Sequence, residues 1–281
     1  MNSLKDKLAH YAWDIAYGTY TDRIISEGLR EVKINIVKNT YKNKWFADPF
    51  ILDEDENIIQ FLVEEFDYDV KRGRIARLKV NKKNKIIEEC SIILDLSTHL
   101  SFPVIYRLNG EVYVHPENSA SGASYIYRYD KYTDKLVEAK LMVEEPIADA
   151  VIRKDGNIYR MYATRVPETN GCVLHEYSSD YLFGPYTHEC EHTFEKNTAR
   201  MAGMFLTTVD GRLIRPAQDC FGGYGRAVIL YDNHKQICRI EPISCKYAGV
   251  HTFNVFQKSF VLDFKKYDYP LFYKLRNMLK Q

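Results

Sequence analysis

Turn signals that recur roughly every fifty residues constrain the fold of this chain more than any other feature. Asn109-Gly110, Asp155-Gly156 and Asp210-Gly211 each separate two short runs that are rich in apolar residues. Weaker copies of the same arrangement surround the turns at residues 55–57 and 257–258. Asn-Gly and Asp-Gly between strand-like runs are strong signals for a β-hairpin. The sequence therefore predicts five hairpins in tandem.

Each predicted hairpin is followed by further strand material, as in residues 73–78 and 86–94 after the first one. About four strands per unit at this period is typical of β-propeller blades. We therefore expect an all-β, five-bladed β-propeller that forms a single domain over residues 1–281. The fifth unit is short of outer strands, and residues 31–38 are expected to supply one. The expected blades are residues 40–97, 98–145, 146–195, 196–245, and 246–265 plus 31–38. A β-sandwich is the alternative, and the regular turn spacing argues against it.

Apolar residues at helical spacing predict short flanking N- and C-terminal helices, over residues 2–16 and 269–280. The second helix is expected either to pack against the propeller or to make a weak contact with a membrane surface. Residues 1–20 carry Asp6, His10 and Asp14 among their apolar residues and so lack the core of a signal peptide. These features predict a cytoplasmic protein, peripheral to the inner membrane if the second helix binds lipid. The net charge of +1 gives no reason to expect binding to nucleic acid.

The six cysteines are widely spaced and include no C-x-x-C pair, which predicts free thiols in a reducing compartment. No Cys/His pair has the spacing that is typical of zinc ligands, so neither a metal site nor a cofactor is expected. A divalent cation such as Ca²⁺ among clustered carboxylates stays an open alternative.

Unusual polar residues concentrate at two places in the predicted hairpins, the start of the first strand and the end of the second. Because the two strands are antiparallel, both places lie at the same rim of a central funnel. The strand starts carry Asp48, Ser101, Asp149, Arg200 and His251, and the strand ends carry Glu64, Glu117, Arg165, Gln218 and Asp219. Acids at equivalent positions of several blades are a poor choice for a hydrophobic interior. They predict one axial pocket, and carboxylates combined with aromatic and guanidinium groups suit a carbohydrate.

Several of these residues belong to segments that resemble a known family. The segments are Ala47-Asp48-Pro49-Phe50, residues 100–103 and 116–118, Asp149-Ala150-Val151, Gly203, and residues 218–226, which read Gln-Asp-Cys at the start and Tyr-Gly-Arg at the end. Over residues 40–262 the chain resembles the N-terminal domain of plant glucosamine inositolphosphorylceramide transferase. More distantly, it is similar to five-bladed propeller glycosidases of the arabinanase and fructosidase type, and to propeller mannosyltransferases and phosphorylases.

The wider resemblance implies that Asp48 is a catalytic base or nucleophile and that Asp149 orients the sugar. The general acid of the glycosidases, a Glu that opens the fourth blade, has no counterpart in residues 199–203. Loss of a general acid costs about 10²–10⁴ in rate when the leaving group is an alkoxide. A nucleotide diphosphate leaves readily and needs charge neutralisation instead, which Arg200, Arg215 or Arg226 is placed to give.

The resemblance and this departure from it favour a glycosyltransferase-like enzyme of bacterial cell-surface polysaccharide (capsule or O-antigen) synthesis. A nucleotide sugar is the expected donor, and a glycan or lipid-linked glycan is the expected acceptor. The predicted catalytic residues are Asp48, Glu117 and Asp149. The predicted substrate-binding residues are Glu64, Ser101, Arg165, Arg200, Gln218, Asp219, Tyr224, Arg226 and His251. An arabinanase-like hydrolase and a non-catalytic glycan-binding propeller are the two alternatives.

Overall fold

The computed structural model describes residues 10–268, which form five four-stranded antiparallel sheets. This arrangement confirms the expected all-β, five-bladed propeller. Blades I to III each consist of four strands that are consecutive in the chain. They comprise β3 (Lys44–Glu54), β4 (Ile58–Asp67), β5 (Arg72–Asn81) and β6 (Ile87–Leu94) in blade I; β7 (Ser101–Leu108), β8 (Glu111–Glu117), β9 (Ser124–Asp130) and β10 (Lys135–Val143) in blade II; and β11 (Ile147–Asp155), β12 (Ile158–Arg165), β13 (Val173–Ser179) and β14 (Thr187–Thr193) in blade III.

Blades IV and V complete the ring, and blade V joins the two ends of the described chain. Blade IV has a short first strand, which Met201 extends by bridging to Ala217. Blade V takes its two inner strands from the C-terminal part of the chain and its two outer strands from the N-terminal part. The strands are β15 (Leu206–Thr207), β16 (Leu213–Asp219), β17 (Ala227–Asp232) and β18 (Lys235–Ile240) in blade IV, and β19 (Gly249–Phe256), β20 (Ser259–Asp268), β1 (His10–Thr19) and β2 (Asn35–Ile36) in blade V.

The helix predicted over residues 2–16 is wrong where the structure describes it. Residues 10–19 form strand β1, which pairs along its whole length with β20, from His10 opposite Asp268 to Thr19 opposite Ser259. Residues 12–18 are buried on both faces of the blade, so the period-two pattern of a half-exposed strand is absent. Residues 2–9 and the helix predicted over residues 269–280 lie outside the described residues.

Helix is scarce in the described range, which contains α1 (Arg23–Glu27) and one 3₁₀ turn (Ser119–Ser121). Between residues 10 and 268 we find no helix with the length and apolar character to cross a membrane.

Apolar side chains between adjacent blades form the core. One cluster runs through blades I to III into blade IV, a second joins blades IV and V with α1, and a third joins blades V and I. Asn254 in β19 fastens three blades, because its Nδ2 donates to the Pro49 carbonyl at 3.0 Å and its Oδ1 accepts from the Met204 N–H at 3.0 Å. The propeller is thus closed by both packing and a buried amide.

Candidate functional site

A β-bulge recurs in the innermost strand of four blades and determines where the polar side chains point. The register shifts fall between Ala47 and Phe50, Ser101 and Val104, Ala148 and Val151, and Val250 and Phe253. Asp48, Phe102 and Asp149 sit in these bulges at φ of 51°, 44° and 50°. Aspartate tolerates this left-handed conformation better than most residues. A bulge re-aims the side chain that it carries, and here it directs Asp48 and Asp149 toward the propeller axis.

The side chains that meet on the axis come from four blades and are joined by hydrogen bonds, ion pairs or ring contacts, except Glu64, which acts on Asp48 through its charge alone. We call this set the axial cluster. It consists of Asp48, Glu64, Asp149, Arg200, Gln218, Tyr224, His251 and Asp263.

His251 lies between two buried aspartates. Its Nδ1 is 2.9 Å from Asp263 Oδ2 and 3.3 Å from Asp48 Oδ1. Asp263 also accepts the backbone N–H of Asp48 at 2.9 Å and that of Thr252 at 2.8 Å. The Nδ1 proton is directed to Asp263, so Asp48 Oδ1 is left without a hydrogen bond. Asp48 Oδ2 accepts the Phe102 N–H at 3.1 Å.

The two aspartates differ in their electrostatics because their partners differ. Burial raises the pKa of Asp48 well above its usual range, and the charge of His251 only partly opposes this effect. For Asp263, burial acts in the same direction, but the charge and hydrogen bond of His251 outweigh it and lower the pKa. Burial lowers the pKa of His251, but the charges of Asp263 and Asp48 outweigh it and raise the value to about 9. Near neutral pH the arrangement is therefore an imidazolium between Asp263 and a carboxyl that is unusually basic.

Asp149 is held by two partners from blade IV. Arg200 donates from Nε to Oδ2 at 2.5 Å and from Nη2 to Oδ1 at 3.2 Å. Gln218 Nε2 donates to the same Oδ2 at 2.7 Å, and Arg200 Nη1 donates to Asn170 Oδ1 at 2.9 Å. This bidentate pair fixes Asp149 and uses much of the positive charge of Arg200.

Aromatic rings cover the cluster. The Tyr224 hydroxyl is hydrogen-bonded to His251 Nε2, and the Arg200 guanidinium lies 5.2 Å from the Tyr224 ring centroid. Trp13 stacks on the His251 ring with centroids 4.3 Å apart and an interplanar angle of 24°. Asp48, Asp149 and His251 are only 2–3 % exposed. These three side chains are therefore shielded almost completely from solvent.

Glu64 of the axial cluster and one further acid, Glu117, line the rim on the side of blades I and II. Glu64 Oε1 lies 3.2 Å from Nε2 of His99, whose Nδ1 accepts the Gly73 N–H at 3.0 Å. Glu117 accepts from the Ser101 hydroxyl at 3.3 Å and from the Ser119 N–H at 2.9 Å. The half-exposed His99 is the most accessible side chain of this group.

Three atoms of the axial cluster are among the buried polar atoms of residues 10–268 that have no hydrogen-bond partner. They are Asp48 Oδ1, Gln218 Oε1 and Glu64 Oε1, the last of which has only the ion-pair contact to His99. Such atoms are rare in folded proteins, and several acceptors in one place suit a ligand that brings hydroxyl donors. Sugars and other polyols have this chemistry.

Comparison with known proteins places the chain in a family. Residues 32–241 match the family model described as glucosamine inositolphosphorylceramide transferase 1, N-terminal, which is well over half of the chain. The chain belongs to this family. The match includes the axial residues from Asp48 to Tyr224, whereas His251 and Asp263 lie beyond its end.

The curated relatives are plant proteins that are much longer than this chain. Glucosamine inositolphosphorylceramide transferase 1 of Oryza sativa subsp. japonica is 25 % identical over 230 residues, which is 80 % of this chain and 29 % of the relative. The protein of the same name from Arabidopsis thaliana is 26 % identical over 208 residues, which is 72 % of this chain and 26 % of the relative. The chain thus spans less than a third of the length of the relatives that it matches.

Solved structures with a similar fold include carbohydrate-active enzymes. The exo-β-1,3-galactanase of Phanerochaete chrysosporium with galactose has a TM-score of 0.50 and 10 % identity, covering 68 % of this chain and 48 % of the galactanase chain. The GH43_1 enzyme of Xanthomonas citri with xylotriose has a TM-score of 0.50 and 8 % identity, covering 67 % of this chain and 69 % of that enzyme. At these identities the likeness shows the propeller fold alone.

The relatives correct one expectation. The sequence led us to expect bacterial capsule or O-antigen synthesis, and this setting is wrong. The curated relatives of the family are plant proteins named for inositolphosphorylceramide, a sphingolipid.

Four residues predicted to bind substrate lie outside the axial cluster: Ser101, which donates to Glu117 at the rim, and Arg165, Asp219 and Arg226. Arg165 pairs with Glu145 at 2.7 Å, and Asp219 pairs with Arg239 at 2.6 Å. Each is one position from the residue that faces the axis, Thr164 in β12 and Gln218 in β16, and side chains alternate along a strand. The exposed Arg226 donates to the Phe221 carbonyl and makes no side-chain bond to Asp219.

Arg215, the third candidate for charge neutralisation, is buried between blades III and IV. Its guanidinium lies between the rings of Phe194 and Tyr231, at 4.3 and 4.8 Å from their centroids.

Sequence reasoning missed four residues that the structure places in or beside the cluster. Asp263 falls in the second strand of the fifth predicted hairpin, one position from its predicted end, and the rule that found Glu64 would nearly have found it. Trp13 was hidden by the helix prediction. His99 and Asn170 lie in connections between strands, where the repeat carries no signal.

The donors Asp48, His251 and Asp263 lie close enough together to be considered as cation ligands. They fit a cation poorly, because the imidazole has both nitrogens engaged, by Asp263 and by Tyr224.

Proposed function

We propose that the axial cluster binds a sugar and takes part in glycosyl transfer, with Asp48 accepting the proton of the attacking hydroxyl. The single observation that carries this proposal is the buried Oδ1 of Asp48, which accepts no hydrogen bond although His251 Nδ1 lies 3.3 Å away, on a carboxyl whose pKa is raised. A general base works best when its pKa lies near the working pH and one lone pair is free for the incoming proton. Burial raises the pKa of Asp48 above its usual range, Oδ1 accepts no hydrogen bond, and the Phe102 N–H fixes the orientation of the carboxyl through the other oxygen.

The other members of the cluster are suited to hold the sugar. Gln218 Oε1 offers an acceptor to its hydroxyl groups, and Glu64 Oε1 offers a second one beside its contact with His99. Asp149 is held in place by its hydrogen bonds with Arg200 and Gln218, so it is suited to orient the sugar and not to attack it. The imidazolium of His251 beside Asp48 stabilises the ionised, proton-accepting form of that carboxyl.

The names of the family's relatives suggest the substrates. A transferase named for inositolphosphorylceramide acts on a lipid whose headgroup carries inositol hydroxyls and a phosphate. We propose an inositol-phosphate lipid headgroup as the acceptor and a nucleotide sugar as the donor. Arg200 and the exposed Arg226 are the candidates for the donor phosphates, although Arg200 shares its charge with Asp149.

Hydrolysis is disfavoured by the composition of the site. Residues 199–203, at the opening of blade IV, contain no carboxylate, and Arg200 from this segment binds Asp149 instead. A glycosidase without a general acid would lose about 10²–10⁴ in rate on an alkoxide leaving group.

A glycan-binding propeller without turnover is the second candidate. The observation that favours it is length, because the matched region is 29 % of the rice relative. In that protein the reaction could belong to the residues that this chain does not match, with the propeller holding a substrate.

Product formation separates these candidates. The purified chain is incubated with a panel of nucleotide sugars and a short-chain inositol-phosphate lipid, and products are identified by mass spectrometry. A glycosylated lipid supports transfer. Affinity for a sugar or the lipid without product supports the binding candidate. Cleavage of an aryl glycoside without affinity for any nucleotide sugar would replace both with a hydrolase.

A further inference from the structure

A second β-bulge, in the outer hairpin of blade III, brings two histidines and a glutamate onto one face. In the pairing of β13 with β14, His175 lies opposite Glu191 and Glu176 lies opposite Cys190. The next pair is Tyr177 with His188, so Glu189 is the extra residue of the bulge. Without this bulge, strict alternation would put His188 and Glu191 on opposite faces. With it, His188 joins His175 and Glu191.

Two of the three distances in this group match the geometry of a tetrahedral metal site. His175 Nδ1 lies 3.4 Å from His188 Nε2 and 3.3 Å from Glu191 Oε1, and all three atoms lie within 4.8 Å of one another. Zinc with bonds of about 2.0–2.1 Å holds its tetrahedral ligand atoms about 3.3–3.4 Å apart. A separation of 3.4 Å is, in contrast, long for a hydrogen bond between the two rings.

We propose that His175, His188 and Glu191 form a binding site for Zn²⁺ or a similar borderline divalent ion, which fastens β14 to β13. Two imidazole nitrogens and one carboxylate suit Zn²⁺, whereas Ca²⁺ and Mg²⁺ prefer a shell made of oxygen. His175 also borders a cavity of about 190 Å³, which leaves room for water as the fourth ligand.

The opposite face of the same hairpin provides an internal control. Glu176, Cys190 and His192 also lie close together there. However, Glu176 is already bound by Arg160 and by His192. Its Oε2 lies 2.7 Å from His192 Nε2, which is a hydrogen-bond distance and too short for two tetrahedral ligands of one metal. This face is therefore assigned to ion pairing. Its thiol gives it a distinct spectroscopic signature if a metal does bind there.

The test is a titration of the metal-stripped full chain with Co²⁺ and Zn²⁺. We expect one equivalent of Co²⁺ to give visible ligand-field bands without the near-ultraviolet thiolate charge-transfer band that Cys190 would add. Zn²⁺ should displace the bound Co²⁺ and raise the midpoint of unfolding of the wild type. Loss of a residue that only hydrogen-bonds to a metal ligand lowers metal affinity about 10–100-fold. Loss of a ligand itself should cost more, so His188→Ala and Glu191→Gln should each lower the affinity at least about 100-fold.

Cys190→Ser and His192→Ala are the matched controls, because they alter the same strand on its other face and should keep the affinity within about threefold of the wild type. Failure of the wild type to bind either ion overturns the proposal. So does binding that survives both His188→Ala and Glu191→Gln, or a thiolate band that Cys190→Ser abolishes. Circular dichroism of each variant in metal-free buffer verifies that a lost signal reflects the site and not the fold.

Discussion

Replacement of His251 by alanine should destabilise the propeller strongly, because the imidazolium separates two buried carboxyls. At pH 7 the ring is protonated, since its pKa is about 9, and it lies 2.9 Å from Asp263 and 3.3 Å from Asp48. Removal of one member of a buried ion pair costs about 3–5 kcal/mol. The lost stacking on Trp13 adds about 0.5–1.5 kcal/mol, offset in part when Asp48 takes up a proton. We therefore expect a loss of about 4 kcal/mol in the free energy of unfolding.

Urea-induced unfolding followed by tryptophan fluorescence measures this loss, with the exposed His234→Ala as control, expected within about 0.5 kcal/mol of the wild type. The double variant His251→Ala with Asp48→Asn removes the repulsion as well as the cation. It should recover about 1–3 kcal/mol relative to additivity, the range seen for residues in contact. A cost below about 1 kcal/mol for His251→Ala would refute the reasoning, as would additivity of the two changes. If His251→Ala alone does not fold, folding of the double variant still tests the coupling.

Three further predictions concern the same fold and site. The free energy of unfolding of the wild type should fall by about 3 kcal/mol as the pH rises from 6.5 through about 9. The protonated His251 stabilises the fold fully below the pKa of histidine in the unfolded chain, and this stabilisation is lost above its pKa of about 9 in the folded protein. Urea titrations at several pH values measure the fall, and an equal fall in His251→Ala would contradict the assignment. Asn254→Ala should cost about 1–3 kcal/mol, since it leaves the Met204 N–H and the Pro49 carbonyl unpaired in the interior; an unchanged melting temperature would show that Asn254 does not fasten the ring. Arg226→Ala should change the melting temperature little, because Arg226 is exposed, and should weaken nucleotide-sugar binding by about 1.5–3 kcal/mol in calorimetry; unchanged affinity would remove Arg226 from the donor site.

The number of blades could be predicted from the sequence because the hairpin turns carry a local signal. Asn109-Gly110 and Asp155-Gly156 adopt the turns that their composition favours, with left-handed φ at Asn109, Gly110 and Gly156. The N-terminal strand could not be predicted in this way. Residues 12–18 are covered on both faces by neighbouring blades, and a fully buried strand has no period-two pattern to distinguish it from a helix.

The candidate site could be predicted in its central acids but not in its exact membership. Asp48, Asp149 and Gln218 converge as expected, because equivalent positions of a repeat face the same axis. Arg165 does not join them, because Thr164 and not Arg165 occupies the position in blade III that Glu64 and Glu117 occupy in blades I and II. The pairing of β11 with β12 sets this register. Bulges and registers depend on tertiary packing, so a one-residue shift is invisible in the sequence. The bulge at Glu189 hid the His175 and His188 pair for the same reason.

The central claim is that Asp48 accepts a proton during sugar transfer, and the most direct measurement compares turnover with donor affinity in Asp48→Asn. Asparagine keeps the size of the side chain and an acceptor for the Phe102 N–H, and it removes the base. Asp134→Asn is the control, an aspartate that pairs with Arg77 between blades I and II. We predict that Asp48→Asn loses turnover by at least about 10²-fold, the lower bound for a general base, with donor affinity unchanged. Turnover equal to that of the wild type, or an equal loss of affinity and turnover, would contradict the assignment of Asp48 as the base.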